Sequence, residues 1–272
     1  MSEISLKDLL EAGVHFGHQV KRWSPKMEQY IYTARDDIHV IDLTKTKACL
    51  LNACAFVESV AATGAPIIFV GTKKQAQAIV QEEAERAGVH YIATRWVGGL
   101  VTNWEEIKKT LSRMEKHETE KESGSLSKFT KKENMLMERE MSRRSRIFGG
   151  IRGLTQLPAL IFVVDVKTEM NAVLEGRKRG IPIVAICDTN SDPTLVDYPI
   201  PGNDDAVKAI RLITSKIADA VLAGRALAEK EAPPLVEDKV PKEERKKPKK
   251  RITQEVTTRK TQAKKTTKAK KA

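Results

Sequence analysis

Four scarcities bound what this 272-residue sequence can encode. Aromatic residues make up only 5% of it, too few for a platform that reads unpaired bases by stacking. Its three cysteines form no CxxC pair and no Cys/His ladder, which excludes a disulfide framework and a finger-type zinc site. Cys49, Cys54 and Cys187 read instead as small buried hydrophobes in a reducing compartment. No apolar run approaches the roughly 18 residues that a membrane span needs. Neither GxGxxG nor GxxxxGK[ST] occurs, and no Ser or Cys is paired with a His as nucleophile and base, so an enzyme is not expected. Met1 to Leu10 mixes acids and lysine with its apolar residues, unlike a secretory signal or a transit peptide, and reads as cytosolic or organelle-encoded.

What the chain has in abundance is positive charge, unevenly placed. Of 48 Lys/Arg and 36 Asp/Glu, 13 and one fall between Arg245 and Ala272, so residues 1–244 balance at 35 of each. The net charge of +12 is therefore a tail property, suited to polyanions through counterion release. From Lys230 onward Pro, Lys, Thr and Glu dominate, and a disordered basic tail over 230–272 is expected.

The body alternates strand and helix signals. Ser5 can cap a first helix reaching Gly13, a Gly/His-bearing loop follows from Glu11 to His18, and Tyr30–Tyr32 with Ile38–Ile41 suggest a strand pair. Asp42 can cap a helix from Leu43 to Ala62. Ile67–Val70, Tyr91–Ala93, Leu160–Val164 and Ile183–Cys187 read as strands, the longer apolar runs as buried parallel ones. Helices are expected between Lys74 and Gly88, from Glu169 to Arg179, and from an Asn203 cap to about Ala223, with Asp204 and Asp205 in the first turn. This alternation predicts an α/β fold: an open, mainly parallel sheet with helices on both faces.

Between Asn103 and Phe148 strand signals vanish. Ile107, Leu111 and Met114 make one narrow stripe, Met137, Met141 and Ile147 a second, and Ser123-Gly124-Ser125 a turn between them. A protruding antiparallel hairpin over 103–148 is expected, inserted in a core of 1–102 and 149–229; two ordinary surface helices are the alternative.

Three constellations invite function. Gly71-Thr72-Lys73-Lys74 is a tight strand-to-helix turn; it can also hold an RNA phosphate at a helix N-terminus, and nucleotide binding is the less favoured third reading. Arg95-Trp96-Val97-Gly98-Gly99 and Asn103-Trp104 suit either base stacking or core anchoring. Arg143, Arg144 and Arg146 complement a helix C-terminus or contact phosphates.

Longer strings carry a family resemblance. EAGVHFGH at Glu11–His18, WSPKM at Trp23–Met27, IDLTKT at Ile41–Thr46, FVGTKKQAQ at Phe69–Gln77, RWVGGLVTN at Arg95–Asn103, GIPIVAICDTNSDP at Gly180–Pro193 and DYPIPGNDDA at Asp197–Ala206 resemble, in order, the bacterial ribosomal protein S2 family. The resemblance covers about residues 2 to 225. Leu154, Pro158-Ala159 and Asp165-Val166 depart from the family's habit, and the long Lys-rich tail is not a general family feature.

The resemblance implies a flavodoxin-like three-layer sandwich with an inserted coiled-coil hairpin. It also implies seating on small-subunit ribosomal RNA beside neighbouring ribosomal proteins, including the large multi-OB-fold protein that captures messenger RNA. No membrane and no small-molecule substrate are implied. The expected RNA-binding residues are Lys21, Arg22, Lys26, Lys73, Lys74, Arg95, Trp96, Asn103, Arg143, Arg144 and Arg146. A nucleotide-dependent enzyme and a free regulatory RNA-binding protein are the rival readings.

One further cluster is expected at the carboxyl edge of the sheet. Asp188 follows a strand directly, and the short segment from Ser191 to Gly202 can return Asp204 and Asp205 to the same edge. The resemblance brings the HFGH loop nearby and adds His18. Carboxylates held this close repel unless a cation joins them, so a divalent metal, Mg²⁺ by the oxygens or Zn²⁺ by the imidazole, is a candidate ligand; helix capping by the aspartates is the alternative.

Overall fold

The apolar runs become central strands because both of their faces are covered. In the computed structural model, which describes residues 4–123 and 130–231, five strands form one parallel sheet: β4 (Ile67–Val70), β5 (His90–Ile92), β6 (Leu160–Val163), β7 (Ile183–Cys187) and β8 (Tyr198–Pro201). Their order is β5-β4-β6-β7-β8, with every neighbouring pair parallel. This is the flavodoxin-like doubly wound order, in which the chain reverses direction across the sheet between its first and third strands. Period-two alternation sorts the side chains: Ile67, Phe69, Leu160, Phe162, Val184 and Ile186 face one core, while Ile68, Val70, Ile161, Val163, Ile183 and Ala185 face the other. Phe69 and Phe162 meet edge to face with centroids 5.1 Å apart.

The first core is roofed by α1 (Leu6–Glu11), α2 (Leu43–Ala62), α3 (Lys74–Ala87) and α7 (Val207–Glu231), the second by α6 (Met170–Lys178) and the start of α4 (Trp104–Glu122). Local caps agree with the sequence. Ser5 accepts from the N–H of Lys7 and Asp42 from that of Thr44, while Gly88 and Gly180 close their helices with φ of 66° and 68°.

Four expectations need correction. The Glu11–His18 loop contains β1 (Phe16–Gln19), which pairs antiparallel with β3 (Ile38–Ile41); β2 (Ile31–Arg35) pairs on β3's other side, making a small second sheet. Gly17 and His18 carry no strand propensity, so only the tertiary pairing makes β1. The segment Ser191–Gly202 is not all loop, since β8 lies within it; Pro199 and Pro201 hid this strand, and they are tolerated because it is a sheet edge. Third, α7 begins at Val207, not beside Asn203. The Asn203 side chain accepts from the N–H groups of Asp205 and Ala206 (2.8 and 3.0 Å), making a turn that places Asp204 and Asp205 before the helix rather than in it. Fourth, α7 runs on to Glu231 instead of ending near Ala223.

Helices α4 and α5 (Lys131–Phe148) run antiparallel, joined side by side by Lys121–Glu138 at 2.8 Å. Thr130 and Glu133 form a capping box that starts α5. Trp104, Ile107, Leu111 and Met114 belong to the second core together with Phe148, so the stem of this pair is buried where a narrow stripe suggested little burial. Apart from Ser123, the turn at Ser123-Gly124-Ser125 lies outside the described residues, as does the basic tail beyond Glu231.

Candidate functional site

The carboxyl ends of β4, β6, β7 and β8 deliver five charged side chains to one place: Lys73, Asp165, Asp188, Asp204 and Asp205. Close approach of the backbone makes this convergence tight. A Cβ on Gly71 would sit 2.8 Å from Val80, and one on Gly17 would sit 2.6 Å from the Thr189 side chain. The second contact brings β1 against the end of β7, where His18 N–H donates to the Thr189 hydroxyl at 2.8 Å.

Lys73 is the hub. Its Nζ lies 3.2 Å from Asp165 Oδ2, 2.7 Å from Asp204 Oδ1 and 2.6 Å from Asp205 Oδ1, with its side chain 20% exposed. Burial opposes its charge, but the hydrogen bonds to Asp204 and Asp205 outweigh that and raise its pKa well above the usual lysine value. Beside it, the N–H of Thr72 donates to Glu169 Oε1 at 2.7 Å. The donors that a phosphate loop would aim at a ligand are thus engaged by acids. Asp165 also accepts from the N–H groups of Lys167 and Thr168 and the hydroxyl of Thr168, which outweigh its burial and hold its pKa low.

His18 bridges the other side, with Nδ1 3.0 Å from Asp188 Oδ2 and Nε2 3.5 Å from Asp205 Oδ2. The Asp188 hydrogen bond, together with the charges of Asp188, Asp204 and Asp205, raises its pKa against the opposing effect of burial. Asp204 is fully buried; burial first, then the charges of Asp165 and Asp188, push its pKa up to about 7 against the pull of Lys73. Its Oδ2 is buried and has no hydrogen-bond partner, an expensive position for a carboxylate oxygen. Ligand atoms of His18, Asp188 and Asp204 all lie within 4.8 Å of one another, a donor set of imidazole and carboxylates that fits one divalent cation.

A second constellation holds the Arg95–Asn103 loop. Glu175 on α6 accepts from Trp96 Nε1 (3.1 Å), the N–H groups of Gly99, Val101 and Thr102 (2.7, 3.2 and 3.2 Å) and the Thr102 hydroxyl (3.0 Å). These bonds outweigh burial and lower its pKa. Trp96 is 5% exposed with its indole N–H spent on Glu175, and Trp104 packs in the second core, so both tryptophans take the anchoring role rather than offering a ring to a base.

The remaining expected residues scatter. Lys21 and Arg22 are exposed on a short turn after β1, Lys74 is exposed at the start of α3, and Arg95 and Asn103 are exposed at the ends of the clamped loop. Lys26 is paired 2.6 Å from Asp192. Arg143 and Arg146 are exposed on α5, while Arg144 pairs with Glu140. Asp165, Glu169 and Glu175 were missed from sequence. Asp165 had a signal, since it follows the β6 run as Asp188 follows β7. Glu175 had none, because a glutamate inside a charged helix looks like any solvated one.

Together these features define a class: a doubly wound α/β scaffold whose carboxyl edge gathers its own salt-bridged carboxylates around Lys73. Comparison with known proteins specifies it further. The profile of the family described as ribosomal protein S2 matches residues 9–224. Small ribosomal subunit protein uS2 of Dictyoglomus thermophilum is 52% identical over 232 residues, covering 85% of this chain and 94% of that protein, and uS2 of Dictyoglomus turgidum matches to the same extent. That of Geotalea uraniireducens is 50% identical over 224 residues, 82% of this chain and 88% of the relative. The chain belongs to the ribosomal protein S2 family, a structural and non-enzymatic family. None of the described helices is long and apolar enough to cross a membrane.

Proposed function

We propose that this chain is a structural constituent of the small ribosomal subunit that seats on its ribosomal RNA through phosphate and shape contacts. The observation that carries this is a set of exposed cations, Lys21, Arg22, Lys74, Arg95, Arg143 and Arg146, which make no ion pair among the described residues. With Trp96 and Trp104 buried, backbone recognition rather than base stacking by those rings follows. Sedimentation of a lysate through a sucrose gradient tests the reading: the chain migrates with small subunits, and migration only at the top of the gradient overturns it. Removing residues 245–272 is expected to leave the folded core intact and to flatten the salt dependence of RNA binding, since 13 of the cations go with it.

The same reading includes a protein neighbour, the large multi-OB-fold protein that captures messenger RNA. A groove of about 430 Å³ between α1, the small sheet and the start of α2 supports it, lined by Leu6, Leu10, Tyr32, Val40 and Leu43. Within that lining Tyr32 is 76% exposed, Leu10 53% and Leu6 42%, an apolar patch of the kind that protein interfaces cover. Tyr32→Ser is expected to release that partner from purified subunits while leaving this chain bound to them.

The unpartnered Asp204 oxygen and its proximity to His18 and Asp188 favour a divalent cation at the carboxyl edge, with Asp205 at its exposed rim. The cation would offset the excess carboxylate charge, and its arrival would displace any proton His18 holds. Elemental analysis of the purified protein against Asp188→Asn tests this; metal absent from both, with no effect of chelator on unfolding, overturns it.

A further inference from the structure

Helix α4 carries a feature that the sequence alone did not single out. Its buried stripe, Ile107, Leu111 and Met114, packs into the second core and fixes the helix's rotation. The opposite face is thereby held toward solvent. There Lys108, Lys109, Arg113 and Lys116 line one shallow groove of about 310 Å³ with Glu105 and Ser112. Lys109, Arg113 and Lys116 follow one another at intervals of four and three, Lys108 adjoins Lys109 on the same exposed side, and the rise of roughly 1.5 Å per residue spreads Lys108 to Lys116 over roughly 12 Å. Lys109 is paired with Glu106 at 2.6 Å, but Lys108, Arg113 and Lys116 make no ion pair among the described residues.

We propose that this ridge of α4 is a docking site for the phosphate backbone of RNA, a proposal that rests on the ribosomal RNA reading above and assigns it a surface. Three features select that ligand. The cations sit on a helix already ordered by its buried side, so their array is preformed before the RNA arrives. The groove contains no apolar side chain, so it lacks the desolvated apolar centre that a stable protein interface uses. And the charges repeat along a line rather than converging on one point, which suits successive phosphates better than a single bound anion.

The test uses the full chain and its triple variant Lys108→Gln/Arg113→Gln/Lys116→Gln, with small-subunit ribosomal RNA as the probe and affinity measured across a salt series. All three side chains are exposed, so the thermal unfolding midpoint is expected to stay unchanged and serves as the folding control. The slope of log affinity against log salt is expected to fall by about two, the loss of about three phosphate contacts. If the wild-type chain binds this RNA and the variant keeps its slope, the ridge is not the docking site while the RNA reading stands. If the wild-type chain does not bind the RNA at all, the reading itself fails and the ridge with it. An unchanged slope combined with weaker incorporation into subunits would assign the ridge to a protein neighbour and overturn the proposal.

Discussion

Lys73 and Arg113 are both cations at helices that back onto the same sheet, yet they live in opposite surroundings. Lys73 is held by Asp165, Asp204 and Asp205 at the carboxyl edge, whereas Arg113 faces solvent on α4 with no ion pair among the described residues. The difference is set by what stands opposite. The ends of β6 and β8 bring Asp165, Asp204 and Asp205 to Lys73, while α4, held by its one buried stripe, turns the face that carries Arg113 to solvent. The contrast separates two meanings of a basic residue in this protein. At the edge it neutralises its own fold's acids; on the hairpin stem Arg113 stands exposed with no ion pair among the described residues.

The largest expected effect tests the first meaning. Lys73→Met leaves Asp165 and Asp204 buried without their counter-charge, a loss of about 3–5 kcal/mol of stability, whereas Lys74→Met, one residue on and exposed, should change stability by less than about 0.5 kcal/mol. Urea unfolding of both variants measures it, and a similar small effect at both positions would dissolve the distinction. Next comes the buried side of α4. Leu111, 5% exposed in the second core, should cost about 2–4 kcal/mol on replacement by alanine, which would show that the stem of the hairpin belongs to the folding unit. Replacing the whole of residues 103–148 by a short loop is therefore expected to cost stability, whereas shortening only the outer turns is not.

A smaller effect, readable by pH, concerns Glu175. Its folded pKa lies below the ordinary glutamate value, so the stability it contributes is fully present above about pH 5 and is lost as pH falls through the folded pKa. Glu175→Gln should cost about 1–2 kcal/mol near neutrality, and the gap to wild type should close on acidification. Unfolding curves at a series of pH values check this; a gap independent of pH would mean that shape rather than charge holds the loop. The smallest effect is expected at Lys121→Ala, which breaks an exposed pair with Glu138 and should leave the unfolding midpoint where it was.

Much of the fold was legible because its signals are local. Ile67–Val70 and Ile183–Cys187 are continuous apolar runs, and such runs, alternating with capped helices, leave few arrangements other than a parallel sheet covered on both sides. The grouping of His18, Asp188 and the two aspartates before α7 was likewise within reach, three of them from the rule that strand ends share an edge and His18 through family resemblance. By itself, then, the sequence determined the strand and helix segments of the core, the caps of α1 and α2, and the segregation of excess charge into the tail, because period, capping and composition act over a few residues. Only the tertiary structure decided that Lys73 faces acids, that Trp96 spends its indole N–H on Glu175, that Gly17 and His18 form a strand, and that α4 presents four basic residues on one exposed side. Each of these depends on a partner far away in the chain: 131 residues separate Lys73 from Asp204, and 79 separate Trp96 from Glu175. Whether a charge is neutralised or left to bind is settled by such distant partners, and no local pattern records them.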